Sequence, residues 1–453
     1  MKSIGSLVLC SVLLYAENMD ALLDGFDDAP VEATENVKAS NNTQLLDKFD
    51  QNDSVVIEKN KTIMIPGVTG KITEQLAYSY LGTKPHDNLT SMKSSLFLDY
   101  EHKFENDWRI KTNFKAYYDA IYDLRDGSYS EDELDKRRSD LMLFDAYVQG
   151  SLVDKLDMKL GRQVIVWGRS DTIRITDVLN PLDNRRPGMV DIEDLRLPVT
   201  MAKFDFFYGD WRFSPMAILE QRFTLNPPFG SDFNPQADPH LPENTPNDVT
   251  YALSLGGEFS GWDINFYAAN IHDDAGYLKQ SGIPTMEHPK VNMFGTALNV
   301  LNGSWLFKME MAYLDGLHFT STQEKAFERV DGLIGMEYNG IAETMISYDI
   351  SLRHFNGYDS RLLNELNPLK QDTYQQALRI SSDLMHDTLT LNYLISLYGE
   401  KMNEGGFQRA WMKYELDQGI NANIGIVDYI GSSALFDAVK NNDMIFADIS
   451  YSF

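Results

Sequence analysis

Between Gly161 and Pro198 the chain places six arginines (Arg162, Arg169, Arg174, Arg185, Arg186 and Arg196) among six acids, although it is strongly acidic as a whole. Guanidinium groups hold carboxylates and phosphates through paired hydrogen bonds, so Arg162, Arg169, Arg174 and Arg185 are candidate ligand contacts. The same stretch carries Ile173, Ile175, Val178, Leu179 and Leu182, too many apolar residues for a loop standing in water. It must pack on something. A second set of candidates recurs at alternate positions: Arg109, Lys111, Lys115, Asp119, Asp145, Lys308 and Glu310. Charges of mixed sign facing one another across a wet lumen would order water and filter solutes. Their plainer reading is a solvated wall whose charges pair among themselves. The chain contains no HExxH, no glycine-rich phosphate loop and no GxSxG elbow, and the eight histidines are scattered. No catalytic group, metal or cofactor is therefore expected.

The elements that carry these side chains alternate with period two. In 108–120, Trp108, Ile110, Thr112, Phe114, Ala116, Tyr118 and Ala120 make one face, and Arg109, Lys111, Asn113, Lys115, Tyr117 and Asp119 make the other. A strand with one apolar and one wet wall has this pattern. It recurs from residue 67 to the C-terminus, giving about eighteen strands (sixteen as the alternative), near 68–82, 92–104, 107–122, 140–152, 155–167, 195–208, 210–220, 250–259, 261–271, 290–301, 304–314, 327–338, 341–352, 373–385, 387–399, 407–417, 419–429 and 443–453. Each approximates the ten or so residues that cross a bilayer at a tilt.

The connectors sort strictly. Short turns such as Val153-Asp154, Gly209-Asp210, Ser260-Gly261, Asn302-Gly303, Asn339-Gly340, His386-Asp387 and Asp417-Gln418 alternate with long loops such as 168–194, 221–249 and 272–289. Tight turns at one end and long loops at the other fit an all-β transmembrane antiparallel barrel of the bacterial outer membrane, with an even strand count. Trp108, Trp211, Trp262 and Trp305 each follow a short turn, which puts four indoles at one level, as an interfacial girdle requires. Pro198 and Pro215 fall in or beside strands and should mark bulges or boundaries.

Residues 1–16 read as a signal peptide, with Met1-Lys2 before the apolar stretch Ile4–Leu14 and Ala16 at the cleavage site. The only cysteine, Cys10, lies inside it, so disulfides and thiolate chemistry drop out of the mature chain. Residues 17–66 read as an acidic periplasmic leader, mostly disordered. Its 17–60 portion has eleven acids against three lysines, with Met19, Leu22, Leu23 and Phe26 on one helical face that could dock a periplasmic partner. Lysine plus arginine total 40 and aspartate plus glutamate 67, a net charge of −27, which repels phosphate backbones and excludes a nucleic-acid partner. Residues 67–453 are the barrel. Its expected partners are the outer membrane with its lipopolysaccharide, and the insertion machinery that reads a last strand ending Ile449, Tyr451, Phe453.

The run Gly161-Arg162-Gln163 to Trp167-Gly168, followed by Asn180-Pro181-Leu182-Asp183, resembles the proteobacterial outer-membrane family known as domain of unknown function 1302. Arg169 stands where that pattern tends to have an acid. The resemblance implies a porin-like channel or transporter, in some members one for hydrophobic compounds working beside an efflux partner, and it brings no catalytic residues. The leading expectation is an outer-membrane channel for small solutes, with loop 169–194 folded inward as a constriction. The alternatives are an external lid held by internal ion pairs, a carrier of hydrophobic compounds, and a barrel enzyme using His102 or His318.

Overall fold

The computed structural model describes residues 67–453 apart from 106, 126, 128, 189–194 and 366–367. The signal peptide and leader expected over 1–66 lie outside the described residues, as does part of loop 169–194. In chain order the strands are β1 (Val68–Ser79), β2 (Asn88–Lys103), β3 (Arg109–Asp119), β4 (Ser139–Val153), β5 (Leu156–Gln163), β6 (Val199–Tyr208), β7 (Trp211–Ile218), β8 (Glu243–Asn244), β9 (Thr250–Phe259), β10 (Trp262–His272), β11 (Tyr277–Lys279), β12 (Thr285–Glu287), β13 (Lys290–Asn302), β14 (Trp305–Leu317), β15 (Phe327–Ile341), β16 (Thr344–Asn356), β17 (Asp372–Leu384), β18 (Leu389–Tyr398), β19 (Gly406–Asp417), β20 (Ile420–Ile430) and β21 (Met444–Ser452). The short strands β8, β11 and β12 form a small sheet in the long loops. The other eighteen form one antiparallel sheet, and β1 pairs with both β2 and β21, which closes it into a barrel.

β14 shows why these residues make a wall. Trp305, Phe307, Met309 and Met311 are exposed, while Leu306, Lys308, Glu310 and Ala312 between them are buried. A lysine and a glutamate buried beneath an exposed row of large apolar residues reverses the order of a soluble sheet. The same exposed row runs around the ring through Leu76, Phe114, Phe266, Phe294, Ile334, Leu391, Ile424 and Ile449. Leaving such side chains in water costs about 1.5–3 kcal/mol each, so the outer surface is built for hydrocarbon. No helix among the described residues is long and apolar enough to cross a membrane. Trp211, Trp262 and Trp305 open their strands and Trp108 immediately precedes β3, all after short turns and hence at one rim.

Every expected strand is present. The departures are local. β5 stops at Gln163 rather than 167, and β6 starts at Val199 rather than 195, because the chain turns into the barrel on both sides of the loop. The turn expected at Asn339-Gly340 sits three residues later, at Ala342-Glu343, with Glu343 at φ 55° and a register shift between Tyr338 and Ile341. The tight turn at Gly303 does need the left-handed conformation that glycine permits (φ 63°). Pro215 stays within β7, but the β6–β7 pairing is interrupted beside it, as expected of a residue with no N–H. Among the described residues, three short α-helices occupy the long loops: α1 (Ile121–Leu124), α2 (Glu131–Arg137) and α3 (Ala434–Val439).

Candidate functional site

Residues 164–188 leave β5 and cross the interior, and 195–198 lead back into β6. Asn180 forms the neck of this segment: its Oδ1 accepts from Ile165 N at 2.9 Å and its Nδ2 donates to Leu197 O at 2.8 Å, tying the outgoing chain to the returning one. Beyond the neck the segment is fastened to inward side chains of distant strands. The Glu310 carboxylate on β14 accepts from Arg169 N (2.6 Å), Ser170 N (2.8 Å), Thr176 Oγ1 (2.8 Å) and Thr176 N (3.3 Å). Asp349 on β16 accepts from Ser170 Oγ (2.7 Å) and Thr172 Oγ1 (2.6 Å). Lys308 bridges Asp171 at 2.7 Å and Glu337 at 3.1 Å, and Arg169 meets Asp263 of β10 at 2.5 Å. Trp167 stacks on Tyr267, with ring centroids 4.6 Å apart.

Two missing Cβ atoms make this docking possible. A Cβ on Gly295, an inward position of β13, would sit 2.9 Å from Thr176 Cγ2, and one on Gly168 would sit 2.8 Å from Glu310 Oε2. Ile173, Ile175 and Leu179 then complete an apolar core with Val199, Met201, Met293, Ala297 and Leu333 of the inner wall.

The far end of the segment reaches the opposite wall. Arg185 is held by Asp183 (2.6 Å) and Asp140 (2.9 Å), and Arg186 donates to Asp119 at 2.7 Å. The Pro187 carbonyl accepts from Tyr429 Oη at 2.6 Å on β20. Leu182 and Leu195 join a second apolar core with Phe233 of the next long loop and Phe407, Trp411, Val427 and Phe446 of the wall. The interior is thus bridged from β10–β16 to β3, β4 and β20.

This bridge leaves one side wetter than the other. Inward residues of β13–β17 such as Glu310, Asp331, Asp349 and Arg379 are buried. On β2–β5, Lys93, Phe97, Asp99, Glu101, Arg109, Lys115, Tyr117, Asp145 and Lys159 are half-buried. Three of these lysines lie over rings of the same wall: Lys159 on Tyr147 (3.9 Å), Lys115 on Phe144 (3.8 Å) and Lys93 on Tyr117 (5.6 Å).

The expected site residues fall into three groups. Arg169, Arg185, Lys308, Glu310 and Asp119 join the segment to the wall. Arg174 holds the segment's own turn through Asp177 O (2.6 Å) and Asn180 O (3.1 Å). Arg109, Lys115 and Asp145 line the half-buried side and Lys111 is buried among them; Arg109 donates to Gln149 (2.9 Å), Lys111 faces Asp99 (3.9 Å) and Asn113 donates to Asp145 (3.1 Å). Arg162 corrects its expectation. It pairs with Ala146 and follows Leu160 by two, so it projects from the outer face rather than into the lumen. Asp263, Tyr267, Gly295 and Asp349 are anchors the sequence reading missed. Their inward parity was legible, but nothing local announced a partner so far along the chain.

In the outer loops, His86 Nε2 lies 2.9 Å from Glu133 Oε2, on a helix α2 capped by Ser130 Oγ accepting from Glu133 N at 3.0 Å. Ligand atoms of His86, Glu133 and Asp232 lie within 4.8 Å of one another, but Arg137 already meets Asp232 at 2.6 Å and Glu133 at 3.4 Å, so the group is satisfied as an ion-pair cluster. Burial opposes charge on His86, yet the Glu133 hydrogen bond and the Asp232 charge raise its pKa overall. Burial and the neighbouring Asp274 push Asp273, just beyond β10, up to about 6.

Residues 82–453 match the family described as protein of unknown function (DUF1302). Among solved structures, Pseudomonas aeruginosa OpdK with vanillate is 8% identical with a TM-score of 0.51, covering 85% of this chain and 98% of that one. Pseudomonas aeruginosa OccK8 (OprE) is 9% identical, with the same score and coverage. Acinetobacter baumannii OccAB4 is 11% identical with a TM-score of 0.51, covering 85% and 97%. At these identities the likeness is one of fold. No curated protein matches the sequence.

Proposed function

The chain belongs to the family described as protein of unknown function (DUF1302), and from that premise we propose that it is an outer-membrane channel for small solutes, narrowed by the segment 164–198. One observation carries this reading. The segment is anchored across the lumen through Glu310, Asp349 and Lys308, while the inner faces of β2–β5 stay half-buried and charged. A barrel of this width would otherwise hold a broad aqueous pore. The bridge limits passage to the β2–β5 side.

That side favours a small organic anion with a flat body. Lys93, Lys115 and Lys159 supply positive charge, and Tyr117, Phe144 and Tyr147 supply ring faces beside it. Asp99 and Glu101 are offset by Lys111 and Arg109. Vanillate, bound in the OpdK structure, is one molecule of this kind and a suitable probe. The test is conductance of the purified, folded protein in a planar bilayer. Small ion steps that vanillate or benzoate reduce from one side support the reading. Absence of steps at any voltage removes it.

An enzyme has less support. His102 meets Phe104 edge-on near the tight-turn rim, and His318 bonds the Gly316 carbonyl and stacks on Tyr277, so the two share no site. We also propose that β21, with Ile445, Ile449 and Tyr451 outward and Phe453 paired to Gly70, is the segment the insertion machinery reads.

A further inference from the structure

The wall is lowest where β5 and β7 have eight residues each and β6 has ten, next to the fifteen of β4. β5 pairs with β4 no further than Arg162 opposite Ala146. Above that point residues 139–145 of β4 have β3 on one side and, among the described residues, no strand on the other. A free strand edge leaves backbone groups unpaired, which hydrocarbon does not tolerate unless protein or water covers them.

The edge nevertheless lies at the level of the apolar belt. Arg162 is six residues beyond the start of β5. At ~3.3 Å per residue and a tilt of about 40°, it stands roughly 15 Å above the tight turn, inside a belt about 25 Å tall. Higher still, Leu143 and Leu141 point outward and are 36% and 74% exposed. Val166 beyond β5, Leu219 beyond β7 and Val249 before β9 carry the exposed apolar surface past the strand ends.

In the middle of this surface sits an ion pair. Arg162 donates to the edge carbonyl of Leu143 at 3.0 Å and to Glu220 Oε1 at 2.6 Å, and Glu220 Oε2 accepts from Thr200 N at 3.0 Å and Thr200 Oγ1 at 2.6 Å. Beside it is a recess of mixed lining, with Val178, Ile218, Phe223 and Ile271 on its apolar side and Glu220, Gln221, Arg222, Thr250, His272 and Asp274 on its polar side. Capping one carbonyl needs one donor. It does not need a shortened wall and a recess beside it.

We propose that the wall between β4 and β7 is a lateral portal, through which molecules with an apolar body and a small polar end pass between this recess and the outer leaflet, with the Arg162–Glu220 pair as its latch. Val178, Ile218, Phe223 and Ile271 take the body, and Glu220, Arg222, His272 and Asp274 meet the polar end. The portal rests on the barrel lying in the outer membrane, but it does not depend on ion conduction through the lumen.

The test places a bimane label at V178C, with F223C as a second position, in a chain carrying C10S, which leaves no other cysteine, reconstituted into vesicles containing brominated phospholipid. An outward label at I334C and an inward label at K115C set the two limits, and heat-dependent gel mobility verifies folding of each variant. Quenching by brominated lipid several-fold stronger at V178C or F223C than at K115C, and stronger again in R162A/E220A, supports the portal. Labels at 178 and 223 that behave like K115C, quenched by aqueous iodide and not by lipid, overturn it. Lipid quenching without ion steps would remove the channel and leave the portal. Ion steps without lipid quenching would do the reverse.

Discussion

Replacing Glu310 with alanine removes the acceptor of four hydrogen bonds, two of them from consecutive backbone amides, Arg169 N and Ser170 N. A hydrogen bond to a charged group contributes about 1.5–3 kcal/mol, and a buried donor left bare costs about 1–3 kcal/mol. The four share one acceptor, so their contributions do not add in full. A loss on the order of 4 kcal/mol is expected, about a thousandfold in the ratio of docked to undocked segment. The wall itself should not change, because β14 keeps its pairing with β13 and β15. External protease on intact cells reads this directly. Wild type should resist cleavage within 164–188, and E310A should be cut there while its barrel keeps heat-dependent gel mobility. E310Q retains an acceptor oxygen and should fall between the two. Equal protection of E310A and wild type would refute the idea that this carboxylate holds the segment inside.

Three further outcomes follow from the same geometry. Valine at Gly295 places a Cβ 2.9 Å from Thr176 Cγ2, and overpacking of this kind costs about 1–3 kcal/mol, so G295V should raise single-channel conductance and leave barrel stability unchanged. Ser170 Oγ and Asp349 Oδ2 are 2.7 Å apart, so S170C/D349C should form a disulfide under mild oxidation, seen as a mobility shift that reducing agent reverses. Asp273 has its pKa raised from 3.8 to about 6, so the folded loop binds the extra proton. Its contribution to stability is complete below pH 3.8 and disappears as pH rises through 6. Hydrogen exchange over 273–289, expressed as protection relative to the intrinsic rate at each pH, should therefore show more protection at pH 5 than at pH 7.5, and D273N should remove that difference.

The barrel was legible because a wall facing lipid on one side and water on the other forces a period of two on every strand, and because tight turns need particular residues. Where a turn residue was not decisive, the boundary moved, as at Asn339-Gly340, where the strand continues to Ile341. That 161–198 needed an apolar partner was also legible, from Ile173, Ile175 and Leu179. Its destination was not. Glu310 and Asp349 lie some 140 and 180 positions away, and a single inward acid on a strand looks the same whether it faces water or a docked loop. Arg162 is the instructive error. Its parity with Leu160 already pointed outward, but the neighbouring arginines suggested a lumenal cluster. Extending β5 to Trp167 hid the place where the chain leaves the wall.

A lumen bridged by 164–188 has one direct electrical consequence. Single-channel conductance should be compared between wild type and a chain in which residues 169–194 are replaced by a short glycine-serine linker, both verified as folded barrels in the same bilayer. A several-fold larger conductance in the shortened chain is the predicted result. Equal conductance in the two would contradict a constriction made by this segment.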